Sequence, residues 1–449
     1  MPADNLTGES IAASPMTPST TTPPTEHPGT ARAALSYPAF RILFFGNALS
    51  MIGTWMQNFT LPAYIDGRTG SASLVGLMIL VQLGPLLFLS IPAGVLADRI
   101  DRTKLIAAMQ SIMLALSVTL AALVGADASL WTIFVVQLGI GIANTINAPA
   151  FAASIPMLVH RRDLAGAVSL NSAMINGSRI AGPALAALLS ALGMSIAQLL
   201  LVNAATYLFI IVPLIFRLRL PMPDEPPADK GWRQLTTGLK VVRSRRVVSR
   251  TILTMFMFSL VCLPYVGLFP SIARLNLGLD PEGGAYKLLY ISWGFGAFLG
   301  ALAVGTWLAP RDTRRLIPFG LLLFAGTLGT FAVMSRWPLA LPVALGLGFT
   351  YFMTATALST VMQENLADRE RGSTMPLWFM AFGGTVPLGN MIAGPIMDAV
   401  GARWVLGVGA VFAIGLALWA NLARLDAPDF LPVEHGGEPF VPVNANRLF

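Results

Sequence analysis

Five charged side chains crowd into seven positions of a 449-residue chain in which only 11% of the residues are charged. These residues are Asp98, Arg99, Asp101, Arg102 and Lys104. The stretches on either side, 74–93 and 105–124, contain almost no ionisable residue. Charges of both signs at short spacing can form ion pairs or bind helix ends, but they cannot lie in hydrocarbon. The pattern therefore predicts an aqueous turn between two membrane-spanning helices.

Arg179 is an isolated charge inside another apolar stretch. A charge at membrane depth costs about 2.5–3.5 kcal/mol and usually faces a cavity or a partner, so we favour a functional role. Ser172 and Asn176 precede it at helical spacing and share its face of the predicted helix.

Polar amides form further stripes along the apolar stretches. We predict that they line a central cavity, with hydrogen bonding between helices as the open alternative. The candidates are Asn47, Gln57, Asn58, Gln137, Asn144, Asn147 and Asn176.

Acidic residues are few in the apolar stretches and lie near their ends. Asp66 and Asp398 fall at outer ends and Glu364 near an inner end, so each is read as an interface charge. Asp66 is kept as the candidate proton-carrying residue.

Other kinds of chemistry are excluded by what the chain lacks. It contains no Gly-x-x-x-x-Gly-Lys loop, which excludes nucleotide hydrolysis by that route. Its one cysteine, Cys262, and its three histidines, which lie in tails or a loop, exclude an internal disulfide and a metal cluster within the membrane. No catalytic constellation is visible, so we expect neither an enzyme nor a bound cofactor or metal.

The composition defines the fold class. Hydrophobic residues make up 55% of the chain and the mean hydropathy is +0.68. The apolar runs have the length of about 20 residues that a helix needs to cross a bilayer. We predict an all-α polytopic membrane protein with twelve transmembrane helices in two six-helix, pseudo-symmetric halves. The spans are expected at 41–65, 74–97, 104–125, 130–158, 166–190, 194–216, 251–274, 286–308, 315–334, 338–361, 374–399 and 402–423.

Polar segments divide the chain into five parts. They are a disordered tail (1–34), a first half (35–216), a central linker (217–250), a second half (251–423) and a second tail (424–449). Apolar residues between 232 and 242 have helical spacing, which is compatible with an amphipathic surface helix or with a solvated linker.

Basic residues are distributed unequally between the two sides of the membrane. With the N-terminus inside, the inner segments hold 23 Lys and Arg residues and the outer loops hold five. Because positive residues accumulate in cytoplasmic loops, both termini are expected in the cytoplasm. The same bias explains the net charge of +7 without a nucleic-acid partner.

The two halves contain an internal repeat. The segment 94–105 has a weaker counterpart 211 positions later, at 305–316. The Gly-Ile-Gly at 139–141 is answered 207 positions later by Gly-Leu-Gly, and the Ile-Ala-Gly-Pro at 180–183 recurs 212 positions later. Nearly constant offsets indicate a duplication, which places a substrate site near the midplane between the halves.

The charged turn resembles the signature loop between helices two and three of the major facilitator superfamily of transporters. The matching residues are Gly94, Asp98, Arg99, Arg102, Lys104 and Leu105. The segments 50–57 and 69–72 are similar to the efflux branch that includes enterobactin and macrolide exporters, and the resemblance extends over residues 35–425.

The resemblance implies a monomeric secondary transporter of the bacterial inner membrane. It is expected to export a small, drug-like or siderophore-like molecule in exchange for protons. An uptake symporter or a facilitator is the alternative.

For the charged turn, the resemblance implies a conformational latch formed by Gly94, Asp98, Arg99, Arg102 and Lys104. The Asp98 carboxylate would face the positive N-terminus of span 11, which we place at residues 372–376. The alternative is that these charges only enforce topology. Ala309 stands at the equivalent of Asp98 in the second half, so the latch should be strong in the first half only.

The segment 177–183 resembles the span-five motif of antiporters in the same superfamily. Gly177, Arg179, Gly182 and Pro183 carry the resemblance, which favours export over uptake. Simple helix packing through small residues is the alternative.

Overall fold

The computed structural model describes residues 29–220, 232–422, 434–435 and 438–439. Within these residues the chain forms twelve helical spans, numbered here 1 to 12. The spans are Pro38–Thr69 (1), Ala72–Arg99 (2), Arg102–Gly125 (3), Leu130–Ser154 (4), Leu164–Ala191 (5), Ile196–Thr206 with Leu208–Phe216 (6), Arg246–Met257 continued through Phe258–Cys262, Pro264–Gly267 and Phe269–Leu277 (7), Gly284–Gly305 (8), Thr313–Val333 (9), Trp337–Glu364 (10), Asp368–Phe379 continued through Met380–Gly384 and Thr385–Val400 (11), and Ala402–Trp419 (12).

Smaller elements flank the spans. A short helix precedes span 1, two 3₁₀ turns join spans 4 and 5, a helix lies in the central linker, and two short strands pair in antiparallel fashion. Their bounds are Ala31–Leu35, Ile155–Met157, Arg161–Asp163, Trp232–Ser244 (the linker helix), Glu434–His435 and Glu438–Pro439. Of the two readings of the linker, the structure supports the helix.

Eight of the described helices are long and apolar enough to cross a membrane by length and composition. Span 1 is longer than these eight helices and span 5 is as long as the longest of them, but both carry more polar residues. Spans 7 and 11 are interrupted by π-helical turns at Phe258–Cys262 and Met380–Gly384. The predicted all-α fold of twelve spans is confirmed.

The charged turn and its counterpart are built alike. Span 2 ends at Arg99, and span 3 begins at Arg102. Asp101 caps the start of span 3, because its Oδ1 accepts a hydrogen bond from the Lys104 amide at 3.2 Å. Asp312 caps the start of span 9 in a similar way, since its Oδ1 accepts a hydrogen bond from the Arg314 amide at 3.0 Å. Each aspartate satisfies an amide that the first helical turn leaves free, which fixes where both spans begin.

The start of span 11 differs from the prediction. Residues 372–376 lie inside the helix, which begins at Asp368. The Glu370 carboxylate accepts from the Ala367 amide at 3.0 Å, so the free amides of this helix end lie before residue 372.

The six-helix halves pack by the same pattern. Span 2 lies against span 4 and span 3 against spans 4 and 6, while span 8 lies against span 10 and span 9 against spans 10 and 12. Gly141 allows span 4 to reach the Gln82 carbonyl of span 2, and Gly348 allows span 10 to reach the Trp293 carbonyl of span 8. A side chain at either glycine would collide with that backbone, so the repeated glycines have equivalent packing roles.

The halves meet mainly along two pairs of spans, 2 with 11 and 5 with 8, and span 1 also contacts span 7. We call the end that carries the charged turn and the linker helix the basic end, and the other the opposite end. This arrangement places the middle of span 5, where Arg179 lies, at the boundary between the halves.

Candidate transport site

The charged turn lies at the basic end, where its members have different surroundings. Arg99 and Lys104 are exposed, whereas Arg102 is buried and donates to the Ala153 carbonyl at 3.0 Å. Arg102 therefore ties span 3 to span 4 within the first half. The Asp98 side chain lies outside what the structure describes, so its role in the latch stays a prediction.

Arg179 sits between the two halves. Its guanidinium carbon lies 5.1 Å from the ring centroid of Trp55 in span 1 and 4.7 Å from that of Phe352 in span 10. Such cation–π contacts stabilise a desolvated guanidinium by about 2 kcal/mol. The side chain is partly exposed, and its Nε has no hydrogen-bond partner within the described chain.

The two glycines of the span-five motif have different roles. Gly182 packs directly against the backbone of span 1 at Ile52 and Met56, where a side chain has no room. Gly177 has open space where a side chain would project. Pro183 is buried in the same helix. The packing alternative therefore accounts for Gly182, but it does not account for Gly177.

Two of the predicted cavity residues form a hydrogen-bond network inside the first half. Gln57 Nε2 donates to Gln137 Oε1 at 3.0 Å, and both side chains are almost completely buried. Gln57 Oε1 in turn accepts from Asn203 Nδ2 at 2.6 Å and from Ser117 Oγ at 3.4 Å. These contacts join spans 1, 3, 4 and 6, which favours the helix-bonding alternative for Gln57 and Gln137.

The other predicted cavity residues are scattered among different environments. Asn47 is buried and its Nδ2 contacts the Met174 sulfur at 3.5 Å. Asn58 Oδ1 accepts from Gln82 Nε2 at 2.7 Å. Asn144 is exposed. Asn147 is buried with an Oδ1 that has no partner within the described chain, while the side chain of Asn176 is not described.

Asp66 is fully buried at the opposite end and joins the halves. Its Oδ2 accepts from Arg274 Nε at 2.8 Å, and its Oδ1 accepts from Arg274 Nη2 at 3.1 Å and from Ser271 Oγ at 2.6 Å. Arg274 also donates to the Gly70 carbonyl at 2.8 Å. The carboxylate of span 1 is thus held by two residues of span 7.

Asp398 forms a second junction at the same end. It lies near the end of span 11, and its carboxylate accepts from the amides of Ala72 and Ser73 at 2.8 and 2.9 Å, at the first turn of span 2. The hydroxyls of Ser71 and Ser73 donate to it as well. An anion at a helix N-terminus is stabilised by the free amides and the helix dipole.

Sequence reasoning missed several of these partners. Asn203 and Arg274 were visible as polar residues in or beside apolar stretches, but they contact residues 146 and 208 positions away. Periodicity within one helix carries no signal for such pairs.

Twelve helical spans of the described chain form two repeat-related halves, with a charged turn at one end and polar junctions at the other. This arrangement defines a polytopic membrane transporter of the major facilitator fold. The model of a family described as transmembrane secretion effector matches residues 29–447. The chain belongs to this family.

Curated relatives are named as exporters. The enterobactin exporter EntS of Salmonella typhi is 26% identical over 413 residues, which cover 87% of this chain and 94% of the relative. The exporter of the same name from Shigella boydii serotype 4 is 25% identical over 388 residues, covering 84% and 86%. The chain is a membrane transporter that exports a small molecule, in the enterobactin-exporter branch of the superfamily.

Solved structures support the same fold. A variant of the nucleoside transporter NupG aligns with a TM-score of 0.70 at 12% identity, covering 85% of this chain and 98% of its own. A bacterial homologue of the human lysosomal transporter Spinster, inward-facing and unoccupied, aligns with a TM-score of 0.68 at 16% identity, covering 89% and 98%.

Proposed function

We propose that the protein exports a drug-like or siderophore-like molecule across the bacterial inner membrane by alternating access, in exchange for protons. The exporters among its relatives and the antiporter motif of span 5 support this direction of transport. The transported molecule would pass between the two halves.

The observation that carries the proposal is the pair of carboxylate junctions at the opposite end. Asp66 and Asp398 each bridge the halves through hydrogen bonds that a rocking motion would break. These junctions close the opposite end, which supports assigning the structure to the inward-facing state of the proposed cycle.

The reciprocal positions of Asp398 and Asp98 support alternating access. Asp398, near the end of span 11, binds the first turn of span 2. Asp98, near the end of span 2, is proposed to bind the first turn of span 11 in the other state. One carboxylate would be engaged when the other is released, so that neither end opens while the other is open.

The basic end is proposed to face the cytoplasm. The linker helix packs there on span 11, where Gly238 lies against the Ser373 carbonyl. Arg245 donates to Glu370 and to the Asn365 carbonyl at 2.8 and 2.7 Å. The linker would therefore move with the second half.

Asp66 is proposed as the proton-carrying residue. Protonation would remove its charge and weaken its bonds to Arg274, which opens the opposite end to the outside. The groups that face this site are Ser271 and Arg274 of span 7, Tyr286 of span 8 and, acting on Arg274, Asp398 of span 11.

The direction of transport can be tested in everted and right-side-out membrane vesicles from a host that lacks its own efflux pumps. A panel of fluorescent probes with positive, zero and negative charge would be followed after energisation. We expect the everted vesicles to accumulate at least one probe, and nigericin to abolish the accumulation. Accumulation in right-side-out vesicles alone would overturn export and favour the uptake alternative.

A further inference from the structure

Arg179 has no counter-charge among the residues that the structure describes. Within the described chain it makes neither a hydrogen bond nor an ion pair, and the titratable groups close enough to act on it are the phenols of Tyr290 and Tyr351. Two other partly buried arginines do have a carboxylate partner, because Arg274 is paired with Asp66 and Arg245 with Glu370.

A guanidinium in a membrane protein is normally neutralised or faces water. Aromatic faces supply only part of the missing stabilisation. Arg179 is partly exposed as a residue, and its buried Nε has no hydrogen-bond partner within the described chain, so the guanidinium can receive an anion that reaches it from between the halves.

Aromatic rings of the second half lie on one side of this position. Tyr290 and Trp293 of span 8 have ring centroids 5.2 Å apart. Trp293 stacks on Tyr351 at 6.3 Å, and Tyr351 meets Phe352 at 4.4 Å. Together with Trp55 of the first half, the rings form what we call the aromatic cage, which consists of Trp55, Tyr290, Trp293, Tyr351 and Phe352.

The partly exposed Trp55 ring and the guanidinium offer complementary contacts to one ligand, and the almost completely buried rings of Tyr290, Trp293, Tyr351 and Phe352 form the apolar wall behind them. Ring faces stack on planar rings, and a guanidinium donates two parallel hydrogen bonds to a carboxylate, sulfonate or phosphate. A cationic ligand would instead be repelled by Arg179, because no acidic group of the described chain neutralises it.

We propose that Arg179 is the anion-binding residue of the transport site and that the preferred substrates are organic anions carrying an aromatic ring. This inference rests on the proposed export function and specifies its substrate class. Arg179 now contacts one ring of each half, Trp55 and Phe352. A bound anion would replace one of these two contacts, so that substrate binding would change how the halves are held together.

The test compares three probes with one ring system and different charges. They are 1-naphthalenesulfonate, 1-naphthalenesulfonamide and 1-naphthylmethylammonium. Binding to the purified full-length protein in nanodiscs would be measured by equilibrium dialysis. We expect the sulfonate to bind at least about tenfold more tightly than either other probe, since only it forms charge-assisted hydrogen bonds with Arg179. Equal binding of all three, or preference for the ammonium probe, would overturn the proposal.

Variants separate ligand binding from helix packing. Arg179→Gln should weaken sulfonate binding about tenfold or more while leaving sulfonamide binding within about twofold, and Arg179→Lys should lie between. A purely structural role would lower the binding of both probes together. Arg250→Gln is the matched control, because the Arg250 guanidinium lies 5.3 Å from the Trp419 ring in a similar cation–π contact away from the cage. Unchanged sulfonate binding by Arg179→Gln would refute the assignment.

The binding test and the vesicle test distinguish failure of the proposed substrate class from failure of the proposed export function. Charge-selective binding that depends on Arg179 supports the site even if no vesicle accumulates a probe, in which case the proposed function fails. Export of cationic probes that is unaffected by Arg179→Gln would overturn the substrate class while export stands.

Discussion

Replacement of Asp66 by asparagine should open the opposite end of the transporter. In the structure the carboxylate accepts two hydrogen bonds from Arg274 and one from Ser271, all across the boundary between the halves. Asparagine keeps one acceptor oxygen but presents an amide donor to a guanidinium. The ion pair and at least one hydrogen bond are therefore lost.

The size of the effect follows from burial. A fully buried pair that loses one partner costs about 3–5 kcal/mol. The Arg274 side chain is 28% exposed, however, and water can solvate it after the substitution. The value for a hydrogen bond to a charged group, about 1.5–3 kcal/mol, is the better measure. Because these bonds break when the opposite end opens, the equilibrium should shift towards the open state by a factor of about 10–100.

Distances between spin labels would report the shift. Ser129→Cys and Ser335→Cys place labels on exposed loops of the two halves at the opposite end, in a Cys262→Ser background that removes the one native, buried thiol. Double electron–electron resonance should show one short distance in the parent protein. Asp66→Asn should add a longer distance.

The matched control is Asp127→Asn. Asp127 lies at the same end but its carboxylate contacts Tyr64 of its own half at 3.4 Å. Its backbone has a φ of 48°, which asparagine tolerates. This control should leave the distance unchanged. If Asp66→Asn also leaves it unchanged, the junction does not hold the opposite end closed and the reasoning is refuted.

Three further substitutions test other parts of the account. Asp398→Asn should open the same end more weakly, by about two- to fivefold in the spin-label assay, because an exposed anion at a helix N-terminus contributes about 0.3–1 kcal/mol; an effect larger than that of Asp66→Asn would contradict this ranking. Asp98→Asn should preserve membrane insertion but slow transport in liposomes, and a wild-type rate would exclude the latch. Gly182→Leu should destabilise the protein by about 1–3 kcal/mol in thermal unfolding, whereas Gly177→Leu should be tolerated, and equal losses would refute the packing roles.

The spans were predictable because hydrocarbon imposes a simple rule on the chain. A helix that crosses it needs about 20 mainly apolar residues, and charged residues collect in the loops. The repeat was equally visible, and Gly141 and Gly348 prove to have the same packing role in the two halves.

The junctions were not predictable, since they depend on contacts between distant segments. The sequence marks Asp66 as a candidate proton-carrying residue, but its partner Arg274 lies 208 positions away. The sequence leaves Gln57 as either a cavity residue or a hydrogen-bonding residue between helices, and its partners in spans 3, 4 and 6 favour the second. The sequence predicts the start of span 11 at residues 372–376, whereas the helix begins at Asp368 and its Glu370 carboxylate accepts from the Ala367 amide.

Proton movement during export tests the central claim most directly. Everted vesicles with an acidic lumen would be loaded with a pH-sensitive fluorescent dye, and a transported probe would be added from outside. If export is coupled to protons through Asp66, the probe causes protons to leave the lumen, and vesicles carrying Asp66→Asn lose this response. Accumulation of the probe without any change in lumenal pH would contradict proton-coupled export.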